Sequence, residues 1–266
     1  MRLPSSRKGR IFLALATLAA GCAIDGLLVE PNWIEVTHQS VPAAVGQTLK
    51  IAHLTDLHTS GLGFRERRLL RLLEREKPDL IVITGDSVPP SGSYEAEAPV
   101  LRALHAPLGV WLIRGNWENW HARRNEAEYY RANGVNFLLN RSAEIRPGVW
   151  LVGFDDTGFA RGGTERALSG VPDGAYRIAL FHAPLFFSGS AGRYDLALAG
   201  HSHGGQVRLP FWGPLWLPGG IGPYLEGWFR AGGSRMYVSR GIGTTLLPVR
   251  FACRPELSCG PARPQY

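Results

Sequence analysis

The chain has 266 residues, of which 45% are hydrophobic and 19% charged, the proportions of an ordinary globular protein with a sizeable core. Its formal net charge is +7, but Arg2, Arg7, Lys8 and Arg10 supply four of those seven ahead of the first apolar run, leaving +3 for the rest. That balance argues against a nucleic-acid partner, and the three cysteines match no zinc-finger spacing.

In chain order, residues 1–10 are basic and hold no acid, and 11–24 are apolar apart from Thr17. This is the layout of a signal peptide or signal anchor over 1–29. Ala19-Ala20-Gly21-Cys22 is a lipoprotein-like cleavage box without the usual leucine, and Ser6-Arg7-Lys8 an imperfect twin-arginine signal. The basic start puts the N-terminus inside and the remainder outside the membrane. Residues 30–48 read as a linker with a first strand at 33–37, and 49–266 as the main domain. A strand at 49–55 runs into Asp56-Leu57-His58, and leucines among charges predict a helix over 65–76, ended by Pro78. The apolar strand 80–83 leads into Thr84-Gly85-Asp86, a helix follows at 95–104, and the strand 110–113 ends in Gly115-Asn116-Trp117-Glu118. After a helix near 125–133, strands are expected at 149–154, 177–181, 196–199, 206–209 and 235–239. Apolar strands alternating with helices indicate an α/β fold with sheets covered on both faces. Cys253 and Cys259 either pair as a disulfide outside the cytoplasm or remain two thiols in a C-terminal tail.

Strand after strand ends in a residue able to bind metal: Asp56 and His58, Asp86, Asn116, His182, then His201 and His203. Taken singly, His182 is a core histidine, Asp86 a helix cap and Asn116 a turn former. Seven together at strand ends, where α/β sheets collect their ligands, point to a metal site. His38, His53 and His105 have no partners in this pattern, and Asp155 and Asp156 read as turn caps or outer supports of the site.

Asp56-x-His58, Gly85-Asp86, Gly115-Asn116, His182 and Gly200-His201-x-His203 resemble, in order and spacing, the blocks of calcineurin-like metallophosphoesterases. The segments 237–243 and 248–251 resemble the tail of a bacterial subgroup that includes membrane-associated phosphodiesterases and a UDP-2,3-diacylglucosamine pyrophosphatase of lipid A synthesis. The resemblance implies a four-layer α-β-β-α sandwich of two mixed sheets with a dinuclear metal site at the strand C-terminal ends. It implies that Asp56, His58, Asp86 and His203 hold one divalent ion, and Asp86, Asn116, His182 and His201 the other. Such a mixture of His, Asp and Asn suits manganese, iron or zinc. Two such ions would activate a water for in-line attack on a phosphodiester or diphosphate.

One position departs from the pattern. Where the family's third block carries a catalytic histidine, this chain has Trp117, whose indole cannot deliver a proton. Either the leaving group needs little protonation, as in a diphosphate, or His121 substitutes, or the protein binds metal and phosphate with little catalysis. Large aromatics crowd 210–229, and these either fill a satellite core or form an apolar rim for acyl chains or a membrane interface. The expectation is therefore a membrane-anchored metal-dependent phosphoesterase acting on a phosphorylated small molecule or lipid-linked substrate. It faces outward, or inward if its substrate is a lipid A precursor.

Overall fold

The computed structural model describes residues 6–43, 47–155 and 163–264. Two mixed β-sheets face each other. The first carries Glu35–His38, Glu256–Pro264, Leu49–Leu54, Leu80–Thr84, Val110–Ile113 and Val135–Phe137 in that order, with Val41–Ala43 also paired to Glu256–Pro264. The second runs Gly227–Ala231, Ser234–Val238, Leu196–Ala199, Tyr176–Leu180, Val149–Gly153 and Arg141–Arg146.

Leu80–Thr84 shows why the strands read as unbroken apolar runs. Successive side chains point to opposite faces. Leu80 and Val82 face the second sheet, among Ile178, Leu180 and Leu198, while Ile81 and Ile83 face outward against Leu69 and Leu101. Those two leucines belong to the helices Phe64–Glu76 and Tyr94–Ala103. On the far side, Ala197, Ala199 and Val238 pack with Phe186 and Phe187, completing the helix-covered outer layer. The expected architecture of two mixed sheets with flanking helices is observed.

Three expectations are corrected. The first strand begins at Glu35 rather than 33. A strand over 206–209 is reduced to Arg208–Leu209, paired with Gly213–Pro214. The supposed C-terminal tail is the strand Glu256–Pro264, which lies inside the first sheet, antiparallel to Leu49–Leu54 and parallel to Glu35–His38. Gly260 and Pro261 hid it, since both are depleted in strands. At Gly260 a Cβ would stand 1.8 Å from the Gln39 carbonyl, so the close approach of the neighbouring chain requires glycine. Cys253 and Cys259 are both buried free thiols, so no disulfide joins them.

The stretch Arg7–Asn32 is long and apolar enough to cross a bilayer, and almost none of it is buried. Its end is fixed to the body. Arg250 N–H donates to the Gly26 carbonyl at 2.9 Å, and the Glu30 carboxylate accepts from Ala252 N–H at 2.9 Å and from Cys253 N–H.

Candidate metal centre

All seven predicted residues come together where the parallel strands of both sheets end. Asp56 and His58 follow Leu49–Leu54, Asp86 follows Leu80–Thr84, and Asn116 opens the short helix Asn116–Trp120 after Val110–Ile113. His182 follows Tyr176–Leu180, and His201 and His203 follow Leu196–Ala199. The backbone here is not extended. Asp56 (φ 52°), His58 (40°), Asp86 (53°), His201 (69°) and His203 (49°) all occupy the left-handed region. Each such residue costs about 1–3 kcal/mol, a strain that concentrates at functional sites. These turns, rather than period-two alternation, divide the histidine pair. His203 gathers with Asp56 and His58, and His201 with Asp86 and His182, each set having ligand atoms within 4.8 Å of one another.

Hydrogen bonds to carbonyls fix the ring orientations. His182 Nδ1 lies 2.8 Å from Thr84 O, and His58 Nδ1 lies 3.2 Å from Val88 O. A carbonyl only accepts, so both Nδ1 atoms carry the proton and both Nε2 atoms present a lone pair. By the same reasoning His201 Nε2 donates to Gly219 O at 2.6 Å, leaving a lone pair on Nδ1. That Nδ1 is 3.0 Å from His182 Nε2, which in turn is 3.2 Å from Asp86 Oδ2 and 3.1 Å from Asn116 Oδ1. Four lone-pair atoms thus converge, an arrangement that repels itself unless a cation sits among them. In the other set, Asp56 Oδ1 and His58 Nε2 are buried without hydrogen-bond partners among the described residues, and His203 Nε2 is 3.2 Å from Asp56 Oδ1. Such orphaned buried atoms are costly, and a divalent cation would satisfy them. Asp86 Oδ2 lies between the sets, 3.2 Å from His182 Nε2 and 3.7 Å from His58 Nε2.

The protonation states suit cation binding. Burial pushes the His203 imidazolium down to about 3, overcoming Asp56, so the ring is neutral near pH 7. Burial and the neighbouring His182 also lower His201. Burial alone would raise Asp86, but His182, His58 and the Trp117 N–H together hold its carboxyl below the usual range.

Two supports went unrecognised in the sequence. Glu118 is fully buried. Its Oε2 accepts from Asp86 N–H (2.9 Å) and Gly115 N–H (2.7 Å), and its Oε1 from Ser87 N–H (2.7 Å), Ser87 Oγ (3.0 Å) and Val88 N–H (3.2 Å). One carboxylate therefore ties the Asp86 turn to the Asn116 turn. Between those turns Gly115 is obligatory, because a Cβ would stand 2.2 Å from Asp86 Oδ1. Arg250 is the second, a fully buried guanidinium that donates to the carbonyls of His203 (3.4 Å), Arg240 (2.8 Å), Gly243 (2.7 Å) and Cys253 (3.1 Å), and burial lowers its pKa to about 10. Glu118 had a signal, since it closes the block Gly115-Asn116-Trp117-Glu118. Arg250 sits in the quoted segment 248–251 but nothing in its spacing marks it as buried.

Trp117 N–H donates to Asp86 Oδ1 at 2.9 Å, and its ring meets the edge of His58 at a centroid distance of 5.5 Å. His121 stacks on that ring at 5.9 Å and is not among the residues lining the cleft beside the cluster. That cleft, of about 430 Å³, is walled by Trp117, Trp120, Trp216 and Leu246 as well as Asp86, Asn116, His201 and His203. Of the unassigned histidines, His38 pairs with Glu76 at the surface and His53 bonds Thr84 Oγ1 in the core. Asp155 accepts from Asn119 Nδ2 at 3.2 Å, while Asp156 lies outside the described residues. The aromatic segment divides. Tyr224 and Phe229 pack on the outer core, and Phe211, Trp212 and Trp216 stand exposed.

Residues 49–205 match the family model described as calcineurin-like phosphoesterase. The chain is 32% identical over 264 residues to the uncharacterized metallophosphoesterase YkuE of Bacillus subtilis, covering 92% of each. It is 30% identical over 222 residues to an uncharacterized metallophosphoesterase of Aquifex aeolicus, covering 80% of this chain and 84% of the relative. It is also 28% identical over 267 residues to the phosphodiesterase YaeI of Escherichia coli, covering 95% and 97%.

Proposed function

The chain belongs to the calcineurin-like phosphoesterase family, and on that premise we propose that it is a two-metal hydrolase of phosphodiester or diphosphate bonds, anchored by its N-terminal helix and acting on a lipid- or nucleotide-linked substrate. The observation that carries this reading is the convergence of lone pairs from His182, His201, Asp86 and Asn116 beside the orphaned Asp56 and His58 atoms. One ion would take Asp56, His58, Asp86 and His203, the other Asp86, Asn116, His182 and His201, with Asp86 shared. Bound there, divalent ions supply a water of lowered pKa and positive charge for the phosphoryl oxygens.

The chain's own residues do the rest. Asp56 is held by His201 N–H (3.0 Å) and Thr55 Oγ1 (2.8 Å), leaving Oδ1 to face the site. Glu118 and the Trp117 N–H keep Asp86 between the two sets. Trp117, Trp120 and Trp216 line the cleft and offer apolar surface to a substrate. No titratable side chain occupies the Trp117 position, so cleavage favours a leaving group that departs as a weak base. A terminal phosphate from a diphosphate satisfies that, and so does an acidic alcohol from a diester.

Purified full-length protein with Mn²⁺, assayed on bis(p-nitrophenyl) phosphate and on a diphosphate lipid, tests the reading. Turnover of either, abolished together with metal binding in Asp86→Ala, is expected; full activity in that variant would refute the site. Retained metal without turnover of any ester would favour a phosphate-binding role instead. The basic N-terminus supports an extracytoplasmic domain, and a C-terminal reporter active only in the cytoplasm would reverse that orientation.

A further inference from the structure

Beside the metal cleft lies a second groove of about 420 Å³, walled by Val207, Leu215, Trp216, Leu246, Leu247 and Val249. His203, Trp216, Thr245 and Leu246 line both, so the groove opens directly onto the metal cluster. Its volume is that of a pocket for a sizeable ligand, and its walls are almost wholly apolar. Leu215, Leu246 and Leu247 are 61%, 70% and 65% exposed, and Phe211 and Trp212, a few residues before Leu215 in the chain, are exposed as well. Exposed apolar side chains in one contiguous patch mark an interaction surface rather than a solvated loop.

The anchoring helix identifies the occupant. The Gly26 backbone packs so closely on the groove wall that a Cβ there would lie 3.2 Å from Val249 Cγ2, and Arg250 N–H fixes Gly26 O. The exposed apolar stretch Arg7–Asn32 therefore joins the body beside Val249. A bilayer holding that helix would meet the patch, where Trp and Leu side chains are favoured at the interface.

We infer that this groove is an acyl-chain site: it receives one chain of a membrane lipid whose phosphate group reaches the Asp86, His201 and His203 cluster. The inference rests on the phosphoesterase reading and deepens it. The lipid need not leave the bilayer entirely, because the groove and the helix root share Val249.

Full-length protein in phosphatidylcholine vesicles, doped with phosphatidylglycerol carrying a diazirine on one acyl chain, provides the test. After irradiation, mass spectrometry is expected to find label in peptides spanning 207–217 and 245–249, besides the anchoring helix. Leu215→Asp and Leu247→Asp, both at exposed positions, should each cut groove labelling about fivefold, since a carboxylate opposes apolar burial. Labelling of the helix should not change and serves as the internal standard. Label confined to the helix, or groove label indifferent to both substitutions, overturns the inference; so does concentration-dependent self-association that shields the groove. Hydrolysis of bis(p-nitrophenyl) phosphate is measured on the same samples. Turnover of it, or of the diphosphate lipid, without groove labelling sinks the acyl site alone, whereas labelling without turnover of either sinks the enzyme reading and keeps the groove.

Discussion

Glu118→Gln probes the site through a residue that cannot touch substrate. Each Glu118 oxygen accepts from two backbone N–H groups, Asp86 and Gly115 on one side, Ser87 and Val88 on the other. A glutamine keeps the shape but sets its NH₂ against one of these pairs, whichever way the amide turns. Two backbone donors lose their acceptor where no water reaches, at about 1–3 kcal/mol each. Against this, burial and the nearby Asp86 charge push the Glu118 pKa up, so removing one charge returns part of the loss. The net expectation is about 2–4 kcal/mol of stability, read by denaturant unfolding. The loosened element is the Asp86 turn itself, so Mn²⁺ affinity measured by calorimetry should fall about 10–100-fold, as for other residues that orient metal ligands. Unchanged stability together with unchanged Mn²⁺ affinity would refute the idea that Glu118 holds the two turns together.

Two further outcomes are expected. Trp117→His restores a proton donor at the cleft, and general acid catalysis is typically worth about 10²–10⁴-fold; cleavage of a diester with a poor leaving group should rise at least about tenfold, and no change would count against the missing-acid argument. Glu97 is fully buried, and burial raises its pKa from 4.5 to about 8 against the smaller downward pull of the Ser87 and Tyr129 hydroxyls. The folded state thus keeps a proton that the unfolded chain releases, so stability is greatest below 4.5 and declines as pH rises towards 8, at up to about 1.4 kcal/mol per unit. Glu97→Gln should match the parent near pH 5 and exceed it at pH 8 in unfolding experiments, and a pH-independent difference between the two would contradict this.

The site residues were legible because their chemistry is dense and positioned by strand ends. Seven residues of metal-binding type, each just beyond an apolar run, survive any uncertainty about exact element boundaries. The supports were less legible. Glu118 is an ordinary acid until its buried neighbours are known, and Arg250 looks like a surface residue until its guanidinium is seen among carbonyls. The strand Glu256–Pro264 was missed because Gly260 and Pro261 break the local pattern, while pairing with Leu49–Leu54 and Glu35–His38 overrides it. The aromatic segment 210–229 was undecidable locally, since the same residue types either fill a core or crown a surface, and here they do both.

By itself, then, the sequence determined the α/β class, the apolar N-terminal stretch and the set of metal-capable side chains. These follow from local periodicity and residue chemistry. Only the tertiary structure decided how these side chains divide. His201 and His203 would share a face in an extended chain, but left-handed turns at both positions send them to different partners. Within each set, the carbonyl of Thr84 at the end of a neighbouring strand and the loop carbonyls of Val88 and Gly219 choose which nitrogen of His182, His58 and His201 faces inward. Contacts between residues far apart in the chain leave no trace in local spacing, so this choice belongs to the fold.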